Sequence, residues 1–168
     1  MRIVARMFVC LMMLLPLAGN AANAEYLKVI LMQPKPVMMA KIDGIDGLDQ
    51  YVKEVEVNIN KKIATMAPAP AWGFLVFAVR EDGKIKAWVD TDDNIPPAVS
   101  STMIEVAEST KSFTVKTGAV VFALGFGVDG AGLPVEKMPF PVEWKKISNC
   151  TNEDCMQIDT ESVALKAF

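Results

Sequence analysis

The chain has 168 residues, with 17 basic side chains, 20 acidic side chains and no histidine. The lack of histidine excludes Ser-His-Asp and Cys-His catalysis and the zinc sites that use imidazole ligands. The acidic balance disfavours contact with phosphate backbones, so we expect no nucleic-acid partner.

The first 24 residues have the pattern of a secretory signal peptide. Two arginines precede an apolar run over 7–17, and small residues follow up to Ala24. The run is shorter than the ~20 residues of a membrane span, and the end has the A-x-A-like form of a cleavage site. We therefore predict cleavage near Ala24, a single domain over 25–168, a location in the periplasm or outside the cell, and no stable membrane insertion after cleavage.

Cleavage would also change the charge and the cysteine content. Two arginines and no acid would be lost, so the formal charge would change from −3 to −5. Cys10 would leave with the leader, and Cys150 and Cys155 would remain. A pair this close in an oxidising compartment predicts a disulfide. Because the spacing differs from the C-x-x-C of redox centres, we interpret the bond as a structural staple.

In the first half of the chain, residues 26–32 read as a strand that ends before Pro34. An amphipathic helix of about five turns follows, with Asp46 as its N-cap and Pro68 beyond its end. The apolar positions at helical spacing are Leu48, Val52, Val55, Ile59, Ile63 and Met66.

A β-hairpin over 72–90 is the clearest local pattern. Two apolar runs flank Asp82-Gly83, the dipeptide preferred in two-residue type I′ turns. This turn would place Phe77 opposite Trp88. Both faces of the hairpin are apolar, so both need a cover. We expect the preceding helix on one face and the following helix on the other.

The second half predicts a helix, a strand and a tail. Pro97 is acceptable in the first turn of the helix, which ends near Thr110. Its inner stripe is Val99, Met103, Val106 and Ala107. The later elements are strands over 119–126, 142–147 and 156–158 and a short helix near 160–166. The predicted fold is α+β, a small antiparallel sheet with a helix packed on each face and a disulfide-closed C-terminal hairpin.

Four aromatic residues are candidates for contact with a partner protein. They are Trp72, Phe77, Trp88 and Trp144. Tryptophan is enriched at interface hot spots, but large aromatic side chains also fill cores. Both interpretations stay open for these four residues.

We predict no cofactor and no metal ion. Asp90, Asp92 and Asn94 fit positions 1, 3 and 5 of a calcium loop, but the turn glycine and the closing acid of that loop are replaced. These three residues are the weak metal candidates. The glycines of 125–130 match a dinucleotide pattern, but a proline-rich stretch follows instead of the required helix.

Residues 68–129 resemble the C-terminal domain of TonB-like energy transducers. The matching segments are PAPAWGFLVFAVREDGKIKAWVD, PPAVSSTMIEVAEST and FTVKTGAVVFALGF. They share a proline-containing lead-in, a glycine before an apolar strand, a D-G hairpin, a helix and a third strand. The resemblance implies a small sheet with a helix packed on it and a receptor peptide that adds as a strand to the sheet edge.

Three functions follow from these patterns. We expect a non-catalytic, soluble periplasmic or secreted protein that binds another protein, as an inhibitor or immunity protein of a toxin or wall enzyme does. The alternatives are a TonB-like peptide-binding domain that acts with outer-membrane receptors and a carboxylate-dependent hydrolase. The nearest acid cluster for the hydrolase is Asp43, Asp46 and Asp49.

Overall fold

The structure, a computed structural model, describes residues 23–66, 70–91, 94–132, 138–151, 155 and 157–168. Within these ranges, four strands form one antiparallel sheet in the order β1-β4-β2-β3, with five helices around it. The elements are β1 (Ala24–Leu31), α1 (Lys35–Lys41), α2 (Asp46–Ile63), β2 (Ala71–Arg80), β3 (Ile85–Asp90), α3 (Pro97–Ser109), β4 (Ala119–Val128), α4 (Val142–Ser148) and α5 (Thr160–Lys166).

Helices cover both faces of the sheet, so the α+β class is confirmed. Side chains of α2 and α3 pack together on the face that carries Leu75 and Phe77. Trp144 of α4 and Val163 of α5 pack on the other face, against Val76. The prediction that α2 and α3 lie on opposite faces is therefore wrong. Both faces of β2 are apolar, so the local sequence does not show which face each helix covers.

The hairpin turn contains three residues instead of the predicted two. The amide of Gly83 donates to the carbonyl of Arg80 (3.0 Å), and the amide of Arg80 donates to the carbonyl of Lys84 (2.9 Å). Gly83 has a φ of +77°, a left-handed conformation that glycine adopts at little cost. A turn followed by a left-handed glycine is the usual three-residue hairpin loop.

The longer loop shifts the register of the hairpin by one residue. Phe77 pairs with Ala87, and Trp88 pairs with Val76. A shift of one residue moves each side chain of β3 to the opposite face. Trp88 therefore packs beside Val76 and Trp144, on the face away from α2, and the predicted pairing of Phe77 with Trp88 is wrong.

The described residues of the tail contain the predicted disulfide and the predicted last helix, and they form no hairpin. Residues 142–148 form α4 instead of a strand, because the segment needs to bury only Trp144 and begins after Pro141, a residue suited to the start of a helix. The disulfide between Cys150 and Cys155 therefore closes a loop between α4 and α5. Residue 156 of the predicted strand over 156–158 lies outside the described residues.

Two further differences lie near the start of the chain. The prolines after β1 begin a short helix, α1, that the sequence pattern did not predict. Ile45 occupies the N-cap of α2, and Asp46 is its first helical residue, where its negative charge interacts favourably with the helix dipole.

The order of elements expected for the segment 68–129 is confirmed. Its strand, strand, helix, strand order is present as β2, β3, α3 and β4.

Replacing Asp159 by alanine tests how much the N-cap of α5 stabilises the domain. Asp159 is the N-cap of α5, and its carboxylate accepts from Glu161 N (3.3 Å) and Ser162 Oγ (2.6 Å). We expect a loss of about 1 kcal/mol in the free energy of unfolding near neutral pH.

The loss should shrink in acid. The hydrogen bond from Ser162 lowers the pKa of Asp159 in the folded state. A lowered pKa contributes stability above the pKa of the unfolded carboxyl, and this stability disappears as the pH falls through the folded pKa. Urea unfolding at about pH 7 and about pH 2.5 measures both values, and an equal loss at both would contradict this role.

Candidate protein-interaction surface

Three adjoining depressions lie along the exposed side of α2. Their volumes are about 360, 440 and 570 Å³. The first lies between the start of α2 and the segment 111–114, the second along α2 itself, and the third between the C-terminal halves of α2 and α3. Glu54 lines all three. We call them together the α2 surface, defined by Asp46, Asp49, Gln50, Lys53, Glu54, Val57, Asn58, Lys61, Lys62 and Lys111.

The inner side of α2 holds this surface in place. Tyr51 is buried, and its hydroxyl donates to the carbonyl of Ala107 in α3 (2.7 Å). Its ring meets Phe77 of the sheet edge-on, with 5.8 Å between the centroids. Burial raises the pKa of Tyr51 far above its usual value, so the hydroxyl stays a donor. An 18-residue helix anchored in this way presents a rigid strip about 27 Å long.

Charge is separated along the α2 surface. Acidic side chains such as Asp46 lie near the start of α2, and Lys61 and Lys62 lie near its end. Asp49 accepts a hydrogen bond from Lys53 (2.6 Å) and thereby raises the pKa of that lysine. Both side chains are exposed, so the pair contributes little to stability. Lys62 likewise donates to Glu105 of α3 (2.9 Å), and both of these side chains are exposed. These exposed pairs are weak, so a partner could exchange them at little cost.

Val57 is the most exposed of the large apolar side chains in the described part of the chain. It is 66% exposed and lies between the acidic and basic ends of the α2 surface. The sequence contained a signal for it, because Val57 interrupts the polar side of an otherwise regular amphipathic pattern. An open strip with one apolar residue and charges at both ends suits contact with a protein surface better than enclosure of a small ligand, which needs a concave, mostly apolar pocket.

The predicted aromatic anchors lie elsewhere. Phe77 is buried and stacks on Phe122, with 4.8 Å between the ring centroids. Trp88 and Trp144 are also buried and meet edge-on at 5.2 Å. These three rings pack in the core instead of forming a contact surface. Trp72 is half-buried beside Phe74.

The calcium candidates are not brought together as a ligand set among the described residues. Asp90 is buried, and its carboxylate accepts from the amide of Phe140 (2.7 Å). Asn94 is exposed, and Asp92 lies outside the described residues. Within the described part of the chain no three acidic, cysteine or histidine side chains are grouped to hold a metal ion. Asp90 therefore joins the end of β3 to the approach to α4. The three residues stay weak candidates for calcium that nothing in the described residues tests.

The acids named for a hydrolase are engaged at the surface. Asp43 pairs with Lys116 (2.7 Å), and Asp49 pairs with Lys53 (2.6 Å). Asp46 lies in the first turn of α2. Each carboxylate thus has a local electrostatic role, and the arrangement offers no feature that singles out a general acid from a general base.

A buried polar cluster lies where α1, β4 and α5 meet. Lys41, only 8% exposed, donates to the Glu161 carboxylate and to the carbonyl of Ala119 (3.0 Å). Glu161 accepts from the amide of Ala119 (2.9 Å). Gln33 donates to the carbonyl of Ala119 (3.1 Å) and accepts from the amide of Val121 (2.9 Å). These side chains complete the hydrogen bonding of β4 where β1 has ended.

The contacts of this cluster indicate a structural role, because Lys41 and Glu161 bind each other and the backbone of the sheet. No local sequence pattern indicates it, because Lys41 and Glu161 are 120 positions apart. A lysine and a glutamate this far apart look like ordinary surface charges until the fold brings them together.

Comparison with known proteins finds no matching family, no matching curated protein and no matching solved structure. The resemblance to TonB-like domains therefore stays a prediction. No helix in the described ranges is long and apolar enough to cross a membrane.

Replacing Gln33 by glutamate tests the polar cluster. The side-chain nitrogen of Gln33 donates to the carbonyl of Ala119 and to the carboxylate of Glu161 (both 3.1 Å). The variant loses both hydrogen bonds and places a second carboxylate beside Glu161. We expect a loss of about 2 kcal/mol in the free energy of unfolding, measured by urea titration. The same replacement at the exposed Gln157 is the matched control and should cost less than about 0.5 kcal/mol. Equal losses would show that the cluster does not stabilise the sheet.

The disulfide should contribute a modest amount of stability. It joins residues five positions apart, and so short a loop predicts about 2 kcal/mol from the chain entropy of the unfolded state. Reduction should lower the free energy of unfolding by this amount, and the double variant Cys150→Ser/Cys155→Ser should not respond to reductant. Two titratable thiols in the native, non-reduced protein would contradict the bond.

Proposed function

We propose that this chain is a non-catalytic binding protein that works in the periplasm or after secretion, and that the α2 surface contacts its protein partner. The observation that carries the proposal is the continuous, rigid α2 surface with an exposed valine at its centre and opposite charges towards its ends.

The location is supported by two independent features. The first 24 residues have the pattern of an exported leader. Cys150 and Cys155 are joined in a disulfide, a bond that persists in oxidising compartments and is rare in the cytosol. A folded domain exported in this way meets toxins, wall enzymes and receptors, which is why an inhibitor or immunity protein is the class that we favour.

The shape of the α2 surface supports a protein partner. Tyr51 fixes α2 to α3, so the strip exists before binding and little order has to be gained. The acidic start and the lysines at the end would orient a partner of opposite polarity, because complementary charges set register and speed association. Val57 supplies an apolar contact near the middle, where interface energy is usually concentrated.

The alternative of strand addition, which the TonB-like resemblance implies, meets an obstacle at β3. The amide of Ala87 is already bonded to the carboxylate of Glu108 (3.1 Å). Lys86 pairs with the same carboxylate (3.2 Å). A peptide added at this edge would have to displace Glu108, so we favour α2 over β3 as the contact surface.

Replacing Val57 by aspartate tests the proposal. We expect the wild-type chain, used as bait in a periplasmic extract, to capture a stoichiometric protein partner. Val57→Asp should weaken that capture by about tenfold or more, because a charge replaces the central apolar contact. Val37→Asp is the matched control, since Val37 is an exposed valine (43%) on a different helix, α1.

Circular dichroism and thermal unfolding should show that both variants fold as the wild type does. Capture by Val37→Asp should equal that of the wild type. Equal capture by Val57→Asp would remove the α2 surface from the proposal. If the wild-type chain captured nothing and instead cleaved peptidoglycan, the binding function itself would be overturned in favour of a hydrolase.

A further inference from the structure

Ala24 belongs to the folded domain in the structure, although the leader pattern places it before the cut. It is the first residue of β1, pairs with Val128 of β4 and is only 2% exposed. Its side chain is part of the hydrophobic cluster beneath α2. A residue in this position stabilises the domain, and a cut after Ala24 would remove it.

Asn60 of α2 binds both backbone groups of Ala24. The amide of Ala24 donates to Asn60 Oδ1 (2.9 Å), and Asn60 Nδ2 donates to the carbonyl of Ala24 (3.1 Å). The carboxamide thus takes the place that a peptide group of a neighbouring strand would occupy. Asparagine has a lower helix propensity than alanine, lysine or glutamate. The role of Asn60 is therefore the pair of hydrogen bonds to Ala24 and not helix formation.

The residue before Ala24 is also held. The carbonyl of Asn23 accepts from the amide of Asp129 (3.3 Å), just beyond the end of β4. Asp129 has a left-handed φ of +52°, and Gly130 follows with a φ of +80°. The chain therefore turns at Asp129 and Gly130, directly after β4. The contact of the N-terminal segment with β4 thus begins at Asn23, one residue before β1.

We propose that the mature chain keeps Asn23 and Ala24, and that the leader is removed on the N-terminal side of Asn23. This inference rests on the proposed export. The pattern Gly19-Asn20-Ala21 supplies small residues at the first and third positions before the bond between Ala21 and Ala22, as a leader peptidase requires. Hydrolysis of that bond takes one water, leaves a carboxylate on Ala21 and frees the amine of Ala22.

A cut after Ala24 would leave a defect in the domain. The buried methyl group and the two hydrogen bonds would be lost, and the carboxamide of the partly buried Asn60 would have no backbone partner at this place. A buried polar group without its partner carries its full desolvation cost. The new charged amine of Glu25 would also lie at the edge of the hydrophobic cluster.

The mass of the exported protein tests the inference. The full chain from Met1 is produced in an exporting bacterial host, and the N-terminus of the released protein is read from its intact mass and by terminal sequencing. A start at Ala22 or Asn23 supports the inference. A start at Glu25 overturns it but leaves the export intact. A chain that keeps Met1 and is not released overturns the proposed export itself, so the two failures are distinguishable.

Thermal unfolding gives a second measurement. A chain that starts at Asn23 should melt about 4 to 8 °C above a chain that starts at Glu25. Asn60→Ala should lower the melting temperature of the longer chain and have little effect on the shorter one, because the two changes remove the same bonds. Asn58→Ala, at an exposed asparagine of α2, is the control and should cause no loss in either chain. Equal melting temperatures of the two wild-type lengths would overturn the inference.

Discussion

The complete burial of β4 is the constraint on which the rest of the structure depends. All ten residues of this strand are buried, so both of its faces and both of its edges need partners. β2 and β1 pair with its edges. Phe122 points into the cluster under α2 and α3, and Ala123 points into the cluster under α4 and α5. The three-layer arrangement of helices, sheet and helices follows, because a strand that is apolar on both faces cannot leave either face to water.

Side chains complete the sheet where strands are missing. β4 extends past the end of β1, and Gln33 and Glu161 take over the hydrogen bonds of its backbone. Asn60 does the same for the first residue of β1, and Glu108 binds the outward amide of Ala87 in β3. Side chains that bind the outer backbone groups of an edge strand oppose pairing with a further strand at those positions. At Ala87 the bond to Glu108 leaves the outer edge of β3 less accessible than the exposed side of α2.

Features of the fold that depend on neighbouring residues could be predicted from the sequence, and features that depend on distant residues could not. α3 and β4 each show a regular apolar pattern, so their starts and their buried faces could be predicted, although β4 ends two residues later than the predicted 126. The layer order could not, because a sheet that is apolar on both faces fits a helix on either side. The register depended on one residue, Gly83, taking the third place of the loop. In the sequence of α2, the apolar Val57 on the polar side of the helix is the one sign of the α2 surface. The pairing of Lys41 with Glu161 arises only when the fold brings the two residues together.

The burial of Phe77, Trp88 and Trp144 limits the kind of contact that the proposed binding function could use. Without these rings, the α2 surface offers charges and a single central valine. Contacts of this composition gain less from desolvation than aromatic hot spots do, and their charges act mainly on orientation and association rate. At about 0.1 M salt, interactions between exposed charges more than about 10 Å apart are largely screened. The charges of the α2 surface are exposed, so binding there would depend strongly on ionic strength. A partner that binds tightly at high salt would therefore need apolar contacts beyond Val57.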